Sequence, residues 1–179
     1  MKGIYLVLFS CLMILNSSAQ SASQSAYLKL LLPAEEGLFR GIDLKESMST
    51  VVNKESSRKN VELLKSKKYS TTYDYKYSVN LENLNVADLN YVFNTSSELI
   101  YARANIYTTK KEIGEELYTK LVNYYLSLLG EASQKNSDKT GFYAKDSKSE
   151  FEIWISHGVD EGESIITIEF IEMEYFELE

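Results

Sequence analysis

The 179 residues carry 26 Asp and Glu against 19 Lys and Arg, a net charge of −7, with a single His and a single Cys. This acidity opposes binding to phosphate backbones and argues against a nucleic-acid partner. One His and one Cys exclude a thiolate zinc site and leave little for a structural zinc centre.

The chain begins Met1-Lys2-Gly3, continues in an apolar run from Ile4 to Leu15, and exits through Asn16-Ser17-Ser18-Ala19-Gln20. A positive start, a short apolar core and small residues before a cut are the parts of a secretory signal. Residues 1–19 are therefore expected to be a signal peptide, cut between Ala19 and Gln20. Its apolar run is shorter than the roughly 20 residues a spanning helix needs. Leu8-Phe9-Ser10-Cys11 has some likeness to a lipoprotein box, but Phe9 stands where a small residue is usual. The apolar run also continues past Cys11 through Leu12-Met13-Ile14-Leu15, so a lipid anchor at Cys11 is not expected. Cleavage removes Lys2 and Cys11, taking the charge from −7 to −8 and leaving no disulfide or cysteine nucleophile. The expected location is the periplasm or the extracellular space, with residues 20–179 forming one globular domain.

Residues 20–42 read as an N-terminal segment and loop. Gln20 to Ala26 is rich in Ser, Ala and Gln, Tyr27 to Leu32 is apolar enough to dock, and Pro33 to Gly41 is a loop. Asp43-Leu44-Lys45-Glu46 is placed like a capping box, with Leu44, Met48, Val51 and Val52 on one helical face. A second amphipathic piece, Val61-Glu62-Leu63-Leu64, follows a polar break and is read as helical. From Tyr69 the period becomes two: Tyr69, Thr71, Tyr73, Tyr75, Tyr77, Val79 and Leu81 share one side of a strand whose other side is polar. Ala87, Leu89, Tyr91 and Phe93 repeat the alternation, and Asn94 to Glu98 is a turn. Ile100, Ala102, Ala104 and Ile106 then face one way, with Tyr101, Arg103, Asn105 and Tyr107 opposite. Ile113, Leu117, Leu121, Tyr124, Tyr125 and Leu128 fall at helical spacing before a Gly130 C-cap. After a polar loop to Thr140 come three strand-like pieces: Phe142 to Lys145, Glu150 to Ser156, and Ser164 to Tyr175.

Helix, three strands, helix, three strands describes two units, 43–108 and 109–175, whose lengths match within a residue. The pattern predicts an α+β fold: tandem αβββ units, short connections that require antiparallel pairing, and a two-layer sandwich. About six strands are expected in one sheet with both helices on one face.

The Gly41-Ile42-Asp43-Leu44 lead-in, the helix ending Leu128-Leu129-Gly130 and the Glu152-Ile153-Trp154 strand resemble small bacterial envelope proteins built from helix-plus-meander units. These are the beta-lactamase-inhibitor-like proteins and the small outer-membrane-assembly lipoproteins. The likeness covers the order of elements over most of the chain after residue 19 and carries no functional residue. It implies a binding or scaffolding role, and the departure at Cys11 sets the chain apart from the lipoproteins.

His157 lies in Ser156-His157-Gly158 before an acidic turn, where Ser156 and Asp160 are too close in sequence to converge in triad geometry. It is read as an exposed turn residue. Asp160, Glu161 and Glu163 lack the ordered oxygen ligands of a calcium loop. Glu35-Glu36 and Glu115-Glu116 are adjacent rather than opposed, and no glycine-rich phosphate loop occurs. No cofactor or metal is expected. The acidic residues Glu169, Glu172, Glu174, Glu177 and Glu179 read as a solvated strand edge and tail. The tyrosine stripe suits core packing or, alternatively, a carbohydrate or small-ligand site. With helices on one face, the other meets solvent or a partner, and Trp154, Arg103, Tyr101 and Tyr107 are expected to point there. The first reading is thus a non-enzymatic exported protein that binds another protein through the open sheet face. The alternative is a ligand-binding module using the tyrosine-rich strand, and carboxylate-only hydrolysis stays open.

Overall fold

A computed structural model describes residues 38–81, 84–108, 110–135, 139–145, 150–160 and 163–177. The expected leader, Cys11, the segment before residue 38 and the Glu161-Gly162 turn lie outside the described residues. The elements run α1 (Met48–Ser56), β1 (Val61–Lys68), β2 (Thr72–Leu81), β3 (Leu84–Asn94), β4 (Leu99–Thr108) and α2 (Lys111–Leu129). They continue with β5 (Gln134–Lys135), β6 (Lys139–Lys145), β7 (Glu150–Asp160), β8 (Glu163–Glu172) and a 3-10 turn, Met173–Glu177.

All eight strands join one antiparallel sheet in the order β1-β2-β3-β4-β8-β7-β6-β5. The fold is α+β as expected. The sheet has more than six strands because Val61–Leu64 is not helical: it opens β1. A four-residue piece with three apolar side chains cannot offset the cost of nucleating a helix. A two-residue turn, closed by Tyr69 N–H donating to the Thr72 carbonyl at 2.8 Å, instead delivers the segment to β2 as a ladder partner. At the far edge, β5 adds two residues from the stretch read as a loop.

The first helix also starts later than the capping-box reading. Ser47 is the N-cap, its hydroxyl accepting from Thr50 N–H at 3.2 Å. Glu46 does reach back to Asp43 N–H at 3.1 Å, but Asp43 accepts from Leu38 N–H and Lys45 takes a φ of 64°, so residues 43–46 form a turn. In α2 the stripe of Leu117, Leu121 and Tyr125 is buried together with Gly114 and Val122. Leu128, read as part of the stripe, is exposed. Gly130, at φ 84°, ends the helix as read, its N–H donating to the Leu126 carbonyl.

Both helices join the same core cluster. Val51 of α1 and Leu117, Leu121, Val122 and Tyr125 of α2 pack with the inward residues of the strands: Tyr77 and Val79, then Leu89, Tyr91 and Phe93, then Ala102, Ala104 and Ile106. Phe142, Ile153, Ile155, Ile166, Ile168 and Phe170 complete it. Each large side chain sealed here contributes roughly 1.5–3 kcal/mol.

One strand departs from simple alternation. Phe93 pairs with Leu99 while Val92 pairs with Tyr101, so Ile100 is the extra residue of a bulge. Leu99 stays with the main core, and both Ile100 and Tyr101 turn to the other face. The expectation that Ile100 lies with Ala102 and Ala104 is thereby corrected. The reason is geometric: an inserted residue shifts the phase of everything before it.

The charged feature of the core is Glu55, on α1 and 0% exposed. Arg40 grips it bidentately, Nε to Oε1 at 3.0 Å and Nη2 to Oε2 at 2.9 Å. Tyr91 donates its hydroxyl to Oε1 at 2.6 Å, and Arg58 donates to the same oxygen. Burial opposes the charge on Glu55, but the hydrogen bonds and attraction of Arg40, then Tyr91 and Arg58, hold its carboxyl below the usual range. A carboxyl with a depressed folded pKa contributes stability that is present above the ordinary glutamate value of roughly 4.3 and lost as pH falls through the folded value. Glu55→Gln should therefore cost about 3–5 kcal/mol in urea unfolding at pH 7, since Arg40 is left buried without its counter-charge. The cost should shrink in acid below that folded value, where wild type loses the same contribution; an equal cost at all pH would show that Glu55 acts only by shape.

Candidate functional site

The face of the sheet away from the helices is built from alternate residues of the same strands. The register places Asn90, Arg103, Glu169, Trp154 and Gly141 in one row across β3, β4, β8, β7 and β6. The neighbouring row is Val92, Tyr101, Ile171, Glu152 and Tyr143. Arg103 and Trp154 are thus two strand spacings apart, about 10 Å. Tyr101, Arg103 and Trp154 occupy adjacent rows on this face, as expected. Tyr107 is on the same face but four residues along β4, about 14 Å away, and its hydroxyl donates to Asp88 Oδ2 at 3.0 Å.

Tyr101 is less accessible than a contact residue should be. It is 7% exposed, its hydroxyl donates to Glu169 Oε1 at 2.6 Å, and its ring stacks on Tyr175 with centroids 4.9 Å apart at 18°. Burial, and then the hydrogen bond to Glu169, raise its phenol far above the usual value, so it is a neutral donor. Tyr101, Val92, Ile100 and Ile171 form a second, smaller core, with Trp154 and Tyr175 packed at its margin.

Tyr175 arrives from the Met173–Glu177 turn, which was read as a continuation of the last strand. The strand stops at Glu172, where the alternation of Ile166, Ile168 and Phe170 gives way to Met173-Glu174-Tyr175-Phe176. That break in period was visible in the sequence and marks the turn. Met173 and Phe176 remain exposed beside the patch, as does Tyr143, whose hydroxyl donates to Glu150. The acidic terminal stretch is also not wholly solvated. Glu169 receives the Tyr101 hydroxyl, and Glu172 is buried and ion-paired with Lys45 at 3.3 Å.

Trp154 is half-buried and held from three sides. Its Nε1 donates to Glu152 Oε2 at 2.8 Å, and Lys139 Nζ sits 4.3 Å from the ring centroid in a cation–π contact. Gly141 lies against the ring: a Cβ there would meet Trp154 Cζ3 at 2.6 Å, so only glycine permits this approach. Arg103, half-buried, lies in register with Asn90, whose Oδ1 is buried without a partner among the described residues.

On the helix face, His157 corrects its reading as an exposed turn residue. It is half-buried in β7, its Nε2 2.6 Å from Ser164 Oγ and its ring 6.1 Å from that of Tyr118. Ser156, one residue away, projects to the opposite face. A Ser–His pair suggests nucleophilic chemistry, but Ser164 is 0% exposed and Gly114 of α2 is pressed onto it. No external carbonyl can reach Oγ, so the pair seats the helix.

The tyrosine stripe is largely core. Tyr77 is buried, and burial pushes its phenol up to about 12, while Tyr73 and Tyr75 are half-buried and Tyr69 is exposed at the turn. Among the described residues no three His, Asp or Glu side chains converge to hold a metal ion, and no helix is long and apolar enough to cross a membrane. Compared with known proteins, the chain matches no family model, no curated relative and no solved structure.

The Gly114 contact yields a direct test. Alanine normally gains up to about 1 kcal/mol over glycine inside a helix. Here its Cβ would lie 1.8 Å from Ser164 Oγ and 2.7 Å from Ser164 Cβ, so the collision decides the sign. Gly114→Ala should destabilise by about 1–3 kcal/mol in urea unfolding, and adding Ser164→Gly should recover most of that loss.

Proposed function

We propose that this is an exported, non-enzymatic protein that binds another protein through the outer face of its sheet. Trp154 and Arg103 would be the principal contacts, the Tyr101–Tyr175 stack the floor of the adjoining row, and Tyr107 an outlying contact. The observation that carries this reading is the apolar centre of the outer face. An antiparallel sheet with helices on one side ordinarily turns a polar face to water. Here Val92, Ile100, Tyr101 and Ile171 are clustered on that face, with Trp154 and Tyr175 at the margin and Glu152, Glu169, Arg103 and Lys139 around them. That cluster is itself sealed, so what it offers a partner is its margin, with half-buried Trp154, Tyr175 and Arg103 and exposed Met173 and Phe176: aromatic and Arg side chains inside a charged rim, as at protein interfaces.

Two further parts of the reading go with it. Each helix is followed by a meander whose last strand, β4 or β8, lies at the sheet centre, which supports a tandem duplication of helix-plus-meander units. With that arrangement goes the likeness to beta-lactamase-inhibitor-like envelope proteins and their binding role. Export rests on the Met1–Gln20 leader. The intact mass of the exported protein should correspond to a chain starting at Gln20, whereas a lipidated chain starting at Cys11 would place it on a membrane instead.

The binding role is tested by affinity capture from envelope extract with wild-type and variant baits compared side by side. Trp154→Ala and Arg103→Ala should each abolish recovery of a stoichiometric partner, since truncating such a residue costs 2 kcal/mol or more, roughly a thirtyfold loss of affinity. Folding should lose less than the 3–5 kcal/mol typical of a fully buried aromatic. A partner captured equally by all three baits would rule out this face.

A further inference from the structure

The edge strand β1 differs in kind from the rest of the sheet. Val61 is half-buried and every other residue through Lys68 is exposed. Among the described residues β1 pairs with β2 alone, which leaves a row of its main-chain groups without a strand partner there. The ladder phase identifies them. Tyr69 N–H donates to the Thr72 carbonyl across the turn, so Lys67 and Lys65, in phase with Tyr69, direct their main chain toward β2. Ser66 and Lys68, out of phase, direct theirs off the open edge. Leu63 and Leu64 stand 48% and 57% exposed on the same strand, an apolar pair that no element of this chain covers among the described residues.

The charge of this corner opposes that of the molecule. In a chain of net −7, the β1 edge and its surroundings carry Lys59, Lys65, Lys67, Lys68 and Lys76 against Glu62 and Asp74, while Arg58 is taken up by Glu55. Two of the ammonium groups are pre-positioned by aromatic rings, Lys67 at 4.2 Å from the Tyr69 centroid and Lys68 at 5.1 Å from that of Tyr73. Lysines on an edge repel the like edge of a second copy. The same lysines attract an acidic strand. We propose that the free edge of β1 is a docking site for an extended, acidic segment of another polypeptide, which adds as a ninth strand. Its main chain bonds Ser66 and Lys68, its carboxylates lie on the face of Lys65 and Lys67, and its apolar side chains lie on the opposite face toward Leu63, which pairs with Tyr77. A membrane surface would satisfy the lysines but not the directed N–H and C=O groups, which only another extended backbone matches. This site is separate from the outer face and stands independently of it.

Fluorescence anisotropy with the exported full-length protein tests it. The probe is an end-blocked, dye-labelled peptide of alternating Glu and Val; the comparators are its fully N-methylated form and an alternating Lys–Val peptide. Wild type should bind the Glu–Val peptide and neither comparator. Ser66→Pro removes an N–H that faces the open edge, a place where proline is tolerated, and should weaken binding by about tenfold or more with the circular dichroism spectrum unchanged. Failure of the Glu–Val peptide to bind, equal binding of the N-methylated peptide, or full affinity in a folded Ser66→Pro variant would each overturn the proposal. So would retention on phosphatidylglycerol vesicles in place of peptide binding, which would assign the lysines to a lipid surface. If Ser66→Pro does not fold, the N-methylated peptide on wild-type protein decides the matter alone.

Discussion

The antiparallel pairing of β4 with β8 is the constraint on which the molecule is organised. Each is the last strand of its meander, and together they form the centre of the sheet. Their register, Ala102 with Phe170, Ala104 with Ile168 and Ile106 with Ile166, turns both sets of apolar residues to the helices at once. A slip of one residue would send Ile166, Ile168 and Phe170 to the outer face. The small side chains of Ala102 and Ala104 leave room beneath the helices for the larger ones on β8. The bulge at Ile100 then reverses the phase at the start of β4, which is why the outer face acquires an apolar centre.

Around that frame, polar groups do what packing alone does not. Glu55 ties α1 to β3 through Tyr91 and to the preceding loop through Arg40, while Arg58 also donates to the Arg40 carbonyl. Arg40 itself has a φ of 55°, a left-handed conformation that costs a non-glycine residue energy and is held here by its neighbours. Beside it Phe39 enters the core against Tyr91 and Phe170. The loop before α1 is thus anchored by one aromatic ring and one guanidinium. On the second half, Gly114 lets α2 lie directly on the side chains of Ser164 in β8 and His157 in β7.

The surface is divided in the same way. Carboxylates gather where β8 and β7 end, and two of them are used internally, Glu169 by Tyr101 and Glu172 by Lys45. Lysines gather at the β1 edge, where they guard the side of the strand turned away from β2. The outer face between them holds the aromatic residues, with Trp154 fixed by Glu152, Lys139 and Gly141. A face in which the aromatic side chains are already held loses little side-chain freedom on contact.

Period alone determined the α+β class, the long second helix with its Gly130 cap, the strands through Tyr77, Tyr91, Ala104, Ile153 and Ile168, and the placing of Tyr101, Arg103, Tyr107 and Trp154 on one face. These follow from local rules: alternate residues of a strand point oppositely, and a glycine ends a helix wherever φ must be positive. Val61–Leu64 is illegible because three apolar residues in four fit either period, and only pairing with β2 selects a strand. Ile100 was misplaced because a bulge is a property of two strands, set by Leu99 and Tyr101 finding Phe93 and Val92. Arg40 and Glu55, and Tyr101 and Tyr175, are partners far apart in sequence, His157 and Ser164 meet only across the β7–β8 hairpin, and no local pattern encodes which side chain will meet which. That decision belongs to the tertiary structure, because burial leaves each polar group only the partner that the fold brings within hydrogen-bonding distance.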